Sequence, residues 1–259
     1  MILDVIDEAM TPNLSVTDRM ILVLFDLGIT NKPQIMTITG WSRDRINEAI
    51  KRIRKKGGDK WLRSWQPRAG KPFVYSLGPD GHKYARELRG EFNGKNDTPP
   101  KGQVWHFLGV NQILCRLLEA GLEVNQWLSG REAASWLWNT LRTRDEKGAA
   151  SNPKTPLRPD AMVEVGGQWF MVEFDNATET PSRLSEKFGK YLDLSLMLNL
   201  SRIPMIFVTV TEKRVSIAET AFERAFNRHP SKWDRVFCMK EGQEVEFLRG
   251  WNPEGFGTK

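Results

Sequence analysis

Cysteine is scarce in this chain. Cys115 and Cys238 are its only two, too few for a disulfide framework or a cysteine zinc site. Long apolar runs are missing as well: no uninterrupted stretch approaches the roughly 18 residues that a membrane helix needs. The opening MILDVIDEAM is acidic and lacks the basic start and small-residue cleavage site of a secretory signal. No internal repeat or low-complexity tract is visible. These absences exclude membrane-spanning, secreted and cysteine-metal classes, and a reducing cytoplasm is the expected compartment.

What remains is the composition of a soluble protein, 40% hydrophobic and 27% charged with a mean hydropathy of −0.47. Its 259 residues suggest two domains at roughly 150 residues each. Charge is unevenly spread. Between Arg43 and Lys71 stand eleven basic residues against three acidic ones, Asp44, Glu48 and Asp59, while the whole chain is only +6. An excess confined to one short segment points to a polyanion-binding surface; a solvated basic helix face is the plainer alternative.

The polar stretch 94–102 contains Pro99-Pro100 and has no hydrophobic period, so it reads as a linker between a domain at 1–93 and another at 103–259. Before it, apolar spacing predicts a helix over 16–27 opened by Ser15 or Thr17 and stopped by Gly28. A short helix follows over 33–38, and then one over 43–56, capped by Ser42 with Ile46, Ala49, Ile50 and Ile53 as its buried stripe. Two β-like runs, 61–66 and 73–77, form a hairpin, and a helix from about 80 to 91 closes the unit. This is the element order of a winged helix-turn-helix, in which the third helix enters the major groove and the hairpin tip lies along the backbone. Arg43, Arg45 and Asn47 fall near the helix start, where Arg suits guanine and Asn suits adenine. Lys51, Lys55, Lys56, Arg68 and Lys71 are suited to phosphates; Arg54 also faces outward, and Arg45 and Arg52 lie on the helix flanks. A winged helix used for protein contact has the same order of elements.

The second domain reads as a small α/β sheet flanked by helices. Helices are expected over 105–120, 131–141, 181–200 and 215–227, and strands over 123–128, 160–165, 168–175, 203–211 and 235–239. A charged loop is expected over 143–156. If Gly166-Gly167 makes a tight two-residue turn, Val165 pairs with Gln168 and Asp160 falls opposite Glu173. Strand alternation then puts Asp175 on the face of Glu173. Three carboxylates so close repel unless a cation or a shifted protonation relieves them, and Mg²⁺ with oxygen ligands is the natural occupant. A solvated sheet edge with polar out-facing acids is the alternative. Trp127, Trp136, Trp138 and Trp169 are candidates for stacking on unpaired bases or for core packing.

Pro159-Asp160 followed by Glu173-Phe174-Asp175 resembles the PD-(D/E)xK restriction-endonuclease-like nucleases. The resemblance implies Asp160 and Glu173 at the metal, with a lysine that activates or orients water; Asp175, converging on the same face, is the third candidate ligand. Asp175 stands in the lysine place, which leaves Lys187, and after it Lys190, as a migrated substitute. Adding His106-x-x-Gly-x-x-Asn111, the run from Glu173 to Glu179, and Lys187-x-x-x-Tyr191 after a winged helix, the chain is similar to the replication-relaxation family of plasmids and mobile elements. That implies a bacterial, sequence-specific duplex-DNA-binding protein of replication, relaxation or mobilisation. The partners implied are DNA, a homodimer and replication or relaxation proteins of the same element. An active Mg²⁺-dependent endonuclease or nickase is the competing function, and a transcriptional repressor with a dimerisation domain the third. A relaxase-type tyrosine nucleophile would need a histidine cluster, whereas His82, His106 and His229 are scattered.

Overall fold

The computed structural model describes residues 2–7, 9–91, 98–145, 157–198, 200 and 203–252. The chain is mixed α/β, with ten α-helices and two sheets among the described residues, and it divides into two compact units, Met1–Glu119 and Ala120–Lys259.

The first unit is built around α2 (Val16–Leu27), which is buried on nearly every side. Ser15 caps it by accepting from the Asp18 amide at 3.1 Å, satisfying one of the orphan donors of a helix start. A short α1 (Ile2–Ile6) precedes it. Strand β1 (Thr30–Asn31) leads into α3 (Lys32–Thr39), opened by Asn31 and closed by left-handed Gly40. Next come α4 (Arg43–Gly57), β2 (Leu62–Trp65), β3 (Val74–Leu77) and α5 (Pro79–Leu88). The three strands form an antiparallel sheet in the order β1-β3-β2. The sequence pattern anticipates α2 through α5 to within a few residues. It misses α1 and β1, which are too short to carry a period.

The boundary lies elsewhere than expected. Helix α6 (Val104–Glu119) belongs with the first unit, not with the α/β domain to which 103–259 assigned it. Its stripe is buried locally: Val104 packs with Ile29 and Val74, with Trp65, Phe107 and Leu108 alongside. Asn111 donates to the carbonyls of Leu27 and Ile29 at 3.1 and 3.0 Å, and Gln34 Nε2 donates to Leu108 O at 2.8 Å. Of the expected linker, residues 94–97 lie outside the described residues, and 101–103 form a 3₁₀ turn leading into α6.

The second unit holds a five-stranded sheet in the order β4-β5-β6-β7-β8, from β4 (Val124–Ser129), β5 (Ala161–Val165), β6 (Gln168–Asp175), β7 (Met205–Thr209) and β8 (Val236–Lys240). The first three strands are antiparallel neighbours, and β6, β7 and β8 run parallel. Parallel strands need long crossovers, supplied here by α8 (Pro181–Leu198) and α9 (Glu212–Phe226), which pack on each other. Helix α7 (Gly130–Asp145) follows β4 and α10 (Gln243–Arg249) follows β8. Residues 143–145, expected in a loop, continue α7; the rest of that expected loop, 146–156, lies outside the described residues. Gly166 and Gly167 both have positive φ, +56° and +79°, as a tight hairpin turn of the primed kind requires. Val165 pairs with Gln168 and Ala161 with Val172, the register expected from the turn.

Candidate functional site

Helix α4 is shaped to expose charge. Ser42 accepts from the Arg45 amide, Asp44 sits in the first turn and Arg54, Lys55 and Lys56 in the last, all in accord with the helix dipole. Ile46, Ala49, Ile50 and Ile53 are buried, so the opposite face is left to solvent. Arg43, Asn47, Lys51, Arg52, Arg54 and Lys55 are exposed there. Arg52 pairs with Glu48 at 3.2 Å, and Arg54 bonds the Ser64 hydroxyl of β2. Arg45 is drawn back: its guanidinium stacks on Trp41 at 4.5 Å from the ring centre. In the β2–β3 loop Arg68 and Lys71 are exposed, and the Arg68 guanidinium lies over Trp105 at 5.3 Å.

A groove of about 430 Å³ runs beside this helix, lined by Lys32, Asn47, Ile50, Lys51, Arg54, Lys55 and Tyr75. Its lining carries four cations and no acid. Lys32 is not among the residues expected from the sequence; its ammonium donates to Asn47 Oδ1 at 2.6 Å and lies 5.7 Å from the Tyr75 ring centre. One local signal was present: a lysine at a helix start opposes the dipole, so something other than helix stability holds it there. The bond engages the acceptor of Asn47 and leaves its amide donors, which departs from the adenine pairing expected of that residue, since adenine needs both.

The carboxylates are held on the second unit's sheet. Glu173 is fully buried and Asp175 nearly so, while Asp160 is half-buried. Asp160 Oδ2 accepts from the Phe174 amide at 2.8 Å. Lys187, from α8, reaches Glu173 Oε2 at 2.5 Å, and one turn on the buried Tyr191 donates to Glu173 Oε1. Burial first and the nearby Asp160 second push the Glu173 carboxyl up to about 8, against the pull of Lys187 and Tyr191. Burial works against the Lys187 charge, but Glu173 and Asp160 outweigh it and raise its pKa above the ordinary lysine value. Burial and Glu173 likewise keep Tyr191 protonated. Asp175 points to other partners. It forms a buried ion pair with Arg214 of α9 and accepts from the Ala177 amide at 3.0 Å, and Arg214 also donates to Glu179 O at 2.7 Å.

The expected ligand trio is therefore divided. Asp160, Glu173 and Lys187 come together with Tyr191, whereas Asp175 is tied to Arg214, a residue that no sequence motif singles out. Among the described residues no group of three or more His, Cys, Asp or Glu side chains is arranged to hold a metal ion. As it stands the donor set does not fit Mg²⁺: Glu173 accepts from an ammonium and a phenol, and an ion would have to displace them. Thr209, paired with Asp175 across β6 and β7, is fully buried, and its hydroxyl finds no partner among the described residues.

Other candidates resolve into structure. Asn111 is a buried tie between α6 and the turn after α2. That turn needs glycine: Gly28 has φ +69°, and a Cβ there would lie 2.6 Å from the Phe107 ring. His106 packs edge-on against Phe107. Trp127 is buried and Trp136 stacks on Trp169 at 6.1 Å, while the side chain of Trp138 lies outside the described residues. Burial pushes the Cys115 and Cys238 thiols up to about 12, so neither offers a thiolate for chemistry. No helix among the described residues is long and apolar enough to cross a membrane.

These features define a two-unit α/β protein with a cationic helix-and-hairpin surface on one unit and a buried carboxyl–lysine–tyrosine cluster on the other. A family model described as replication-relaxation matches residues 23–199, from within α2 to the end of α8 and so across both features. The chain belongs to the replication-relaxation family. No curated protein and no solved structure matches it.

Proposed function

We propose that the chain is a sequence-specific double-stranded DNA-binding protein acting in replication, relaxation or mobilisation of a plasmid or other mobile element. On this reading the first unit is a winged helix-turn-helix, with α4 as the recognition helix and the β2–β3 hairpin as the wing. The supporting observation is the acid-free cationic groove beside α4, continuous with the exposed Arg43, Lys51, Arg54 and Lys55. Arg43 and Asn47 stand at the end of the helix that meets base edges, and the lysines, with Arg68 and Lys71 of the hairpin, suit phosphates. Selection of bound duplexes from a random pool tests the reading. Recovery of one enriched motif, flattened by Arg43→Ala with Asn47→Ala, is the expected result; a pool left unenriched by the wild-type chain overturns it.

A second reading, a divalent-metal-dependent DNA endonuclease of restriction-endonuclease-like fold, is favoured by one observation, the placement of Lys187 beside Asp160 and Glu173. The carboxylates are engaged within the protein, so no catalytic step follows from their geometry. Nicking of supercoiled plasmid in Mg²⁺ or Mn²⁺ by the wild-type chain, and not by Lys187→Ala, would establish it.

A further inference from the structure

The five-stranded sheet ends in β8, and that edge is open among the described residues. Met205 N donates to Arg235 O and Glu241 N to Thr209 O, both at 2.8 Å. In a parallel pair the residues bonded to the neighbour alternate, so the odd-numbered residues of β8 face β7. Val236 and Cys238 turn their backbone N–H and C=O groups to the open side, where neither has a partner among the described residues. Lys240 N, beyond them, is satisfied by Gln243 Oε1 at 2.9 Å. The other edge strand, β4, carries a bulge between Val124 and Gln126, a common protection against unwanted pairing; β8 pairs with β7 in unbroken register.

A groove of about 490 Å³ wraps this edge. On the α9 side it presents Glu219, Phe222 and Glu223 beside Cys238; on the α10 side it presents the half-buried Phe237 and Phe247, whose ring centres are 4.9 Å apart and against both of which Trp251 packs. Side chains of an added strand would alternate between these two walls. Glu219 and Glu223 are exposed, one helical turn apart, and neither pairs with a cation among the described residues. Like charges at that spacing repel, so a cation laid between them is favoured.

We infer that the β8 edge is a docking site for an extended peptide of alternating basic and apolar residues, which adds to the sheet as a further strand. Its backbone would bond Val236 and Cys238, its basic side chains would meet Glu219 and Glu223, and its apolar ones would enter the Phe237–Phe247 wall. The acids disfavour nucleic acid at this face. They also disfavour a second copy of the chain, because two-fold pairing of β8 edges would bring the same carboxylates together.

The test uses the full chain and a fluorescein-labelled peptide of alternating lysine and valine, followed by anisotropy and by hydrogen exchange of the β8 amides. Saturable binding with slowed exchange at Val236 and Cys238 is expected. Affinity should fall at least about tenfold, a loss of about 1.4 kcal/mol, for Glu219→Gln with Glu223→Gln, and again for a peptide N-methylated on its edge-facing residues. The methylated peptide probes backbone pairing without touching the protein's fold. Equal binding of a peptide with the same residues in two blocks, indifference to N-methylation, or unchanged exchange at β8 would each overturn the proposal. So would a dimer in sedimentation that Val236→Pro dissociates, which would assign the edge to a second copy.

Discussion

Glu173 gives the protein a signed dependence of stability on pH. Its carboxyl holds a proton up to about 8 in the folded chain against 4.5 for the ordinary group. Between those values the native state binds more protons than the unfolded one, so stability falls as pH rises. The contribution is fully present below about pH 4.5 and is lost as pH climbs through about 8. A tenfold change in proton affinity is worth about 1.4 kcal/mol, so the excursion is a few kcal/mol at most. At roughly 2–4 °C per kcal/mol for a unit of this size, that is a readable change in Tm. Other carboxylates contribute their own slopes, so the quantity to measure is the wild-type Tm minus that of Glu173→Gln, by scanning calorimetry of the full chain from pH 5 to pH 8. The wild type should lose ground to the variant as pH rises, since glutamine has no proton to lose. Lys187→Met removes a charge that lowers the carboxyl pKa and should carry the fall above pH 8. Lysine itself adds stability that persists below its ordinary value and is lost as pH rises through its higher folded one. Parallel Tm curves for wild type and Glu173→Gln across this range would contradict a Glu173 carboxyl that keeps its proton up to about 8.

The placement of α6 in the first unit predicts that a fragment of residues 1–119 unfolds cooperatively, whereas 1–93, which uncovers Ile29 and Val74, shows a lower Tm or no transition by circular dichroism. Asn111→Ala should cost the first unit about 1–3 kcal/mol in urea titrations, because two buried carbonyls lose their donor; an unchanged midpoint would contradict that role. Millimolar Mg²⁺ should leave the wild-type Tm unshifted, since a ligand stabilises only by binding the native state and the carboxylates are already engaged. A clear rise in Tm would show that the ion displaces Lys187.

Much of this arrangement is legible in the sequence because local physics dictates it. Ser15 and Ser42 cap the helices they precede, the Ile46–Ile53 stripe fixes which face of α4 is exposed, and Gly166-Gly167 fixes a register that pairs Ala161 with Val172, the neighbours of Asp160 and Glu173. Lys187 and Tyr191, four residues apart on one helix, share a face for the same reason, and both reach Glu173. The failures are non-local. The ownership of α6 depends on Asn111 meeting carbonyls more than eighty positions earlier, and its apolar stripe alone does not say which unit it covers. Asp175 shares a face with Glu173 as alternation requires, but its partner Arg214 arrives from a helix after the next strand. Lys32 reaches Asn47 across the α3–α4 turn, where no sequence period reports it. Helix α10, with seven residues, is too short to show a face in the sequence.

The proposed function has the exposed cations of α4 and the hairpin binding duplex DNA through its phosphates. Its most direct test is the salt dependence of duplex affinity for the full chain, wild type against Lys51→Ala with Lys55→Ala, measured by anisotropy on one labelled duplex. Each phosphate contact removed should lower the slope of log Kd against log salt by about one, so the double variant should lose about two and bind more weakly on every sequence. An unchanged slope, or a wild-type chain that binds no duplex at low salt, would contradict it.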